Sequence, residues 1–129
     1  MAQTNDEVRD TLSKFLRAVE SLDIERIMAF FNEDAQMFSP MGIFPSRLDG
    51  RAAIGKQFGA ILEAVKAQAG GTLKLEPHDI DVRELGTEAA LITFHLKMPG
   101  PLHRRSFVMT RNSGGWRIAH IHASIASPV

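Results

Sequence analysis

The stretch Gly114-Gly-Trp-Arg-Ile-Ala-His-Ile-His-Ala-Ser124, close to the end of the chain, decides the fold. Its two glycines are typical of a turn, and the residues from Trp116 to Ile125 read as a β-strand. Neither set of alternating positions suits a solvent face: one carries Ala and Ile, and the other carries Trp, Ile and His. Because such a strand is covered on both sides, we expect helices on one face and a second copy of the chain on the other.

Three more runs with a period of two precede this strand and are separated by short turns. They are Leu73–Arg83, Glu88–Met98 and His103–Asn112. The apolar parity of the first run changes at Pro77-His78, which predicts a bulge or bend there. Short turns join neighbouring strands of opposite direction, so the four strands are predicted to form an antiparallel meander.

Before Gly71 the apolar residues recur with the period of a helix. We predict three helices: one from Thr4 to about Ser21, a short one between the N-cap Asp23 and Asn32–Asp34, and one that starts after Asp49 and stops at Gly70-Gly71. A short strand, Ala35–Phe38, and an irregular loop, Ser39–Asp49, separate the last two. The apolar tip of that loop, Met41–Phe44, is expected to cap the open end of the fold over a ligand or to plug the core. The sequence thus predicts one α+β domain over residues 1–129, with a curved antiparallel sheet packed on three N-terminal helices.

The composition excludes several classes of protein. The chain has 129 residues, 44% of them hydrophobic, and 15 basic residues balance 15 acidic ones. A neutral chain lacks the electrostatic attraction that holds nucleic acids or anionic membranes. The absence of cysteine excludes disulfides and cysteine-based zinc sites. No apolar run is long enough for a bilayer span and the first residues are unlike a signal peptide, so we expect a cytoplasmic protein.

Three segments resemble the nuclear transport factor 2-like superfamily. Asp23–Ala35 resembles its second helix and first strand, and Leu48–Ile54 resembles the start of its next helix. Gly114–Ser124 is similar to the closing strand of the SnoaL-like branch, through a Trp-x-x-x-His-x-His-x-Ser pattern. That branch includes the association (hub) domain of calcium/calmodulin-dependent kinase II. The resemblance implies a cystatin-like cone, in which a curved sheet wraps around the helices and a cavity opens at one end.

Within that superfamily, ketosteroid isomerisation needs a carboxylate base, a tyrosine and a protonated carboxylic acid. By the resemblance, these three positions fall on Ser39, Phe15 and Phe107. A neutral serine does not accept a proton unaided at pH 7, and phenylalanine donates no hydrogen bond. Steroid isomerase activity is therefore not expected, and the residues leave open whether the chain is an enzyme.

The candidate catalytic residues are His120 and His122. They lie two apart on one strand, so both side chains leave the same face. The resemblance implies that cavity residues alternate along this strand, and a count from Gly114-Gly-Trp without a gap places the histidine face inside the cone. A bulge in the strand would instead bring Ala119, Ile121 and Ala123 to the cavity. The imidazoles are expected to act as acid or base there, or to serve as structural or ligand-lining groups. We expect no bound metal, because no third ligand has suitable spacing.

The same count places Arg105 inside the cone, where its guanidinium would bind a carboxylate or another anion. A solvent-exposed position at the rim is the alternative. The other expected ligand-binding residues are Phe15, Ser39, Phe94, Phe107, Met109 and Ser124.

Two functions fit these residues. The first is a small-molecule binding protein or small enzyme, similar to an isomerase, cyclase or dehydratase, that takes an apolar ligand with a carbonyl or carboxylate group. The second is an oligomeric hub without catalysis. Both would use a homodimer or larger assembly formed through the sheet, and neither requires a cofactor, a nucleic acid or a membrane.

Overall fold

The computed structural model describes residues 2–40, 45–68, 70–97 and 100–126. Three helices and six strands occur in these ranges. In chain order they are α1 (Ala2–Glu20), α2 (Ile24–Met28), β1 (Phe31–Phe38), β2 (Arg47–Asp49), α3 (Arg51–Ala67), β3 (Pro77–Glu84), β4 (Ala89–Leu96), β5 (Leu102–Asn112) and β6 (Gly115–Ala126).

Helices α1 and α3 lie close to their predicted positions, whereas α2 ends at Met28 and does not continue to Asn32–Asp34. The predicted N-cap of α2 is confirmed. A carboxylate oxygen of Asp23 accepts hydrogen bonds from the backbone N–H groups of Glu25 and Arg26, which have no partner within the helix.

Trp116 of β6 contacts helix α1. Its indole Nε1 donates a hydrogen bond to Glu7 Oε1 at 3.0 Å. The guanidinium of Arg111 lies 5.3 Å from the centre of the same indole ring.

The strands form one curved sheet in the order β2-β1-β6-β5-β4-β3, so the predicted α+β fold is confirmed. Strands β3 to β6 form the predicted antiparallel meander, although β3 begins at Pro77 rather than at Leu73. Strand β1 pairs with β6 in parallel. Strand β1 begins at Phe31, earlier than predicted, and β2 lies within the predicted loop. The predicted tip of that loop, Met41–Phe44, and Met98 at the predicted end of β4 lie outside the described residues.

One face of the sheet, here called the inner face, packs against the helices, and the opposite one is the outer face. Phe107 and Met109 of β5 lie on the inner face and are buried, as the sequence predicts. Their cross-strand partners on β4, Ile92 and Ala90, are buried too. The core therefore lies between the inner face and the apolar sides of α1 and α3.

A bulge in β6 decides which of its side chains reach the inner face. Ile118 lies opposite Met109 and His120 lies opposite Val108, so Ala119 has no partner on β5. The extra residue shifts the alternation by one. Ile121 and Ala123 therefore join Ile118 on the inner face, where all three are buried.

Among the described residues, no helix combines the length and the apolar content needed to cross a bilayer. The cytoplasmic location and the single domain over residues 1–129 stay predictions from the sequence.

Candidate functional site

Four neighbouring strands place a row of side chains across one end of the inner face. Phe94 on β4 pairs with Arg105 on β5, which in turn pairs with Ala123 on β6. Phe38 pairs with His122 in the parallel β1–β6 ladder, so the next step of that register brings Ser39 beside Ala123. Directly opposed residues share a face of the sheet. The small Ala123 thus separates two polar residues whose strands lie about 10 Å apart.

Arg105 is the half-buried cation of this row and lies between the apolar residues Phe94 and Ala123. Its Nη1 donates to the backbone carbonyl of the adjacent Arg104 at 3.1 Å. In the part of the chain that the structure describes, no carboxylate forms a salt bridge with its guanidinium. Burial lowers the pKa of Arg105, because removal from water disfavours the charged form. An anion placed beside this group would restore part of the lost stabilisation.

Gln57 of α3 brings a buried amide to the same end of the inner face. The amide Nε2 donates to Ser39 Oγ at 3.1 Å, and the side chains are 2% and 7% exposed respectively. No described group donates to the other amide atom, Oε1, although it is buried. Leaving a buried acceptor unpaired costs roughly 1–3 kcal/mol, so this atom needs a donor from outside the described residues.

His103 precedes Arg105 by two residues on β5 and therefore lies on the same face. Its cross-strand neighbours are Leu96 and Ile125, nearer the end of the sheet. The ring atom Nδ1 is buried and, among the described residues, has no hydrogen-bond partner. Burial, and secondly the charge of Arg105, lowers the pKa of His103 below its ordinary value. The imidazole is thus neutral at pH 7 and able to accept a proton or a hydrogen bond.

An aromatic cluster forms the apolar wall next to Arg105. The ring of Phe107 lies 5.2 Å from Phe94 and 5.6 Å from Phe15, in edge-to-face contacts. Phe15 also touches Phe31 and Phe58. Three residues predicted to line the cavity therefore do lie together on the inner side of the sheet, and Met109 is buried deeper along the same strand.

The prediction that His120 and His122 face the interior is wrong, because the bulge at Ala119 turns both to the outer face. They pair with Val108 and Ser106, which alternate with the buried Phe107 and Met109. Both imidazole rings contact the ring of Phe38, at 5.3 and 5.5 Å between centroids. The acid–base role expected for these two histidines inside the cavity is therefore not available to them.

Ser124 also lies on the outer face, contrary to the sequence prediction. It pairs with Arg104, whose Nε donates to Ser124 Oγ at 3.1 Å. Within the described ranges, no group of three or more His, Asp or Glu side chains is placed to hold a metal ion.

The sequence prediction missed Gln57 and His103 as members of this site. Gln57 follows Ile54 by three residues and precedes Ile61 by four, so it lies on the apolar stripe of α3. A glutamine at such a position is a recognisable signal, because it must find hydrogen-bond partners in the core. His103 could have been found from Arg105, which shares its face.

Comparison with known proteins assigns the family. A model of the SnoaL-like domain matches residues 8–128. The chain belongs to the SnoaL-like domain family. The resemblance seen in the closing strand is thereby confirmed over nearly the whole chain. No curated protein sequence matches this SnoaL-like domain significantly.

Solved structures show the same fold at low sequence identity. An inferred dehydratase of the nuclear transport factor 2-like family from Streptomyces avermitilis is 20% identical, with a TM-score of 0.83 over 99% of this chain and 100% of that one. A nuclear transport factor 2-like protein of unknown function from Pseudomonas putida is 21% identical, with a TM-score of 0.80 over 96% and 87%. An inferred calcium/calmodulin-dependent kinase II association domain from Thiobacillus denitrificans is 19% identical, with a TM-score of 0.74 over 91% and 93%.

Proposed function

We propose that this SnoaL-like domain binds a small organic anion at the end of its inner face. The ligand is a carboxylate, or a carbonyl compound that carries negative charge when it enolises. Arg105 anchors the charge, and Phe94 and Phe107 contact the apolar part. The supporting observation is the half-buried guanidinium of Arg105, which lacks a carboxylate partner among the described residues. A built-in cation of this kind favours an anion over a neutral ligand.

A titration with butyrate, followed by NMR, tests the proposal. Butyramide is the matched neutral ligand, since it keeps the chain length and loses the charge. We expect butyrate to bind and Arg105→Ala to weaken its affinity at least tenfold, as for the loss of a charged hydrogen bond. Arg104→Ala is the matched control, because Arg104 lies on the outer face. Equal binding of butyramide, or unchanged affinity in Arg105→Ala, would refute the proposed anion site.

We further propose that His103 accepts a proton from the bound ligand. The lowered pKa keeps its imidazole neutral, and Nδ1 is free of partners among the described residues. In an enolisation the proton would pass from the carbon next to the carbonyl to His103, while the negative charge would develop on the carbonyl oxygen. Arg105 on the same face would stabilise that charge. The name of the Streptomyces avermitilis relative, an inferred dehydratase, is compatible with such chemistry.

Proton exchange measures this step without knowledge of the natural substrate. Incubation of 2-oxobutyrate in heavy water should replace its C3 protons with deuterium faster in the presence of the protein. The exchange should fall to the uncatalysed rate in His103→Gln, which should still bind butyrate. Catalysed exchange that survives this substitution would remove His103 from the proposal.

The outer face suggests the second part of the proposal, a homo-oligomer formed through the sheet. It carries the half-buried side chains of Phe38, Val108 and His120, which a second copy would cover. The name of the Thiobacillus denitrificans relative, an association domain, fits such an assembly. A hub without catalysis would use this face alone, whereas the anion site requires the inner face, so the two proposals have separate tests.

A further inference from the structure

The amide of Gln57 places a second constraint on a ligand of the inner face, in addition to the negative charge that Arg105 favours. Gln57 is 2% exposed, and its Nε2 is already committed to Ser39 Oγ at 3.1 Å. Oε1 is an acceptor, and no described residue donates to it. The backbone of Ser39 is itself held, because its N–H donates to the carbonyl of Ser46 at 3.0 Å. The hydrogen bond from Nε2 to Ser39 Oγ orients the amide and thereby sets the direction of Oε1.

Gln57 and Arg105 approach the same part of the inner face from different elements. Gln57 comes from α3 by way of Ser39, and Arg105 comes from β5. Between Ser39 and Arg105 lies Ala123, whose side chain is a single methyl group. A small molecule over Ala123 would therefore meet a cation on one side and a hydrogen-bond acceptor on the other.

We propose that the ligand of this site is a small carboxylate that also carries a hydroxyl or amino group, whose hydrogen it donates to Gln57 Oε1. This inference rests on the proposed anion site and specifies which carboxylates the site prefers. A carboxylate without such a donor leaves the buried acceptor unpaired, whereas a hydroxy acid pairs both groups. Sites built to hydrogen-bond a ligand hydroxyl discriminate strongly against analogues that lack it.

The test compares butyrate with 2-hydroxybutyrate and 3-hydroxybutyrate on the unmodified protein. The three anions have the same carbon skeleton and charge, and the two hydroxy acids place the donor at different distances from the carboxylate. We expect at least one hydroxy acid to bind about tenfold more tightly than butyrate, the gain of one well-formed hydrogen bond. Equal or weaker binding of both hydroxy acids would overturn the inference, even with the anion site intact.

Substitution of Gln57 assigns the selectivity to this residue. Gln57→Met keeps the length of the side chain and removes both polar atoms. We expect its preference for the hydroxy acid over butyrate to fall below about twofold. Gln36→Met is the matched control, because Gln36 lies on the outer face beside Asp49 and should leave the tenfold preference unchanged. A preference that persists in Gln57→Met would show that another group receives the hydroxyl.

The outcomes separate this inference from the proposed function. Loss of butyrate binding in Arg105→Ala supports the anion site, whatever the hydroxyl contributes. If no carboxylate binds, or if binding does not depend on Arg105, both proposals fail. If butyrate binds through Arg105 without any preference for the hydroxy acids, only the role of Gln57 fails. The comparison on the unmodified protein decides this point even if Gln57→Met does not fold.

Discussion

Arg105, the proposed anchor of the ligand, is expected to oppose stability at the scale of one residue. It pairs across the sheet with Phe94 and Ala123, burial lowers its pKa, and no described carboxylate forms a salt bridge with its guanidinium. We predict that Arg105→Met raises the free energy of unfolding by about 1 kcal/mol and abolishes carboxylate binding. Urea denaturation measures the first effect and NMR titration the second. Arg104→Met, on the outer face, should change stability by less than about 0.5 kcal/mol. A less stable Arg105→Met protein would contradict the prediction.

His103 makes stability depend on pH in a definite direction. Burial first, and then the charge of Arg105, lowers its pKa in the folded state below the ordinary value of about 6.5. The unfolded chain therefore binds more protons near that pH, and stability is lost as the pH falls from about 7 through 6.5 towards the folded pKa. We predict a smaller loss in His103→Gln, measured by urea denaturation at pH 7.5 and 5.5.

The imidazole signals of His103 in NMR spectra provide an independent check. Arg105→Ala should raise the pKa of His103 only in part, because burial is the larger cause. Full recovery to the ordinary value would mean that Arg105, rather than burial, controls this residue. An unchanged slope of stability against pH in His103→Gln would show that other groups determine the acid sensitivity.

At the scale of an element, the bulge in β6 shows that the sequence predicts the strands better than it predicts which of their side chains face inward. The helices and the four long strands follow from the period of the apolar residues. The faces of β6 do not, because both sets of positions are partly apolar, and an ungapped count puts His120 and His122 inside. The buried apolar residues of β6 do change from an even to an odd position between Ile118 and Ile121. A change of this kind also predicted an irregularity at Pro77-His78, and the β3–β4 register does shift between His78 and Asp81.

The candidate site was predictable to a different extent for each residue. Arg105 and Phe107 lie on the inner face as expected, because β5 is regular between them. Gln57 was missed because the apolar stripe of α3 reads as core whether or not one of its members is polar. The local pattern shows burial, whereas the partner of a buried amide depends on which residues the whole fold brings together.

A deletion tests the bulge directly. Removal of Ala119 leaves Ile118, His120 and Ile121 alternating as in a regular strand, so the same side chains should stay buried. We predict a folded protein that loses about 1–3 kcal/mol, through reduced twist and curvature of β6. Deletion of Thr93 is the control, because β4 is regular from Ala89 to Leu96 and a deletion there turns the following residues over. Urea denaturation and NMR spectra should show that only the Thr93 deletion fails to fold, and equal losses would contradict this reading of the bulge.

At the scale of the whole molecule, the two faces of the sheet differ in what covers them. The inner face packs against the helices, and the outer face presents Phe38, Val108 and His120, which remain half-buried in the single chain. A homodimer through the outer face would bury on the order of 1,200–2,000 Å² in total. We expect light scattering at micromolar concentration to give at least the mass of a dimer at pH 7.5.

Protonation of His120 on the outer face should weaken this assembly. Burial, and secondly the neighbouring His122, lowers the pKa of His120, so its ring is expected to be neutral where a second copy covers it. Two copies related by a twofold axis present the same residue to each other's face, and a charged His120 ring there would lose hydration. We predict a shift towards monomer between pH 7.5 and 5.5, and at pH 7.5 in Val108→Glu, which places a charge beside His120. Ala60→Glu, on the exposed side of α3, is the control and should leave the mass unchanged. A monomer at pH 7.5, or a dimer that Val108→Glu does not weaken, would show that the outer face is not the interface.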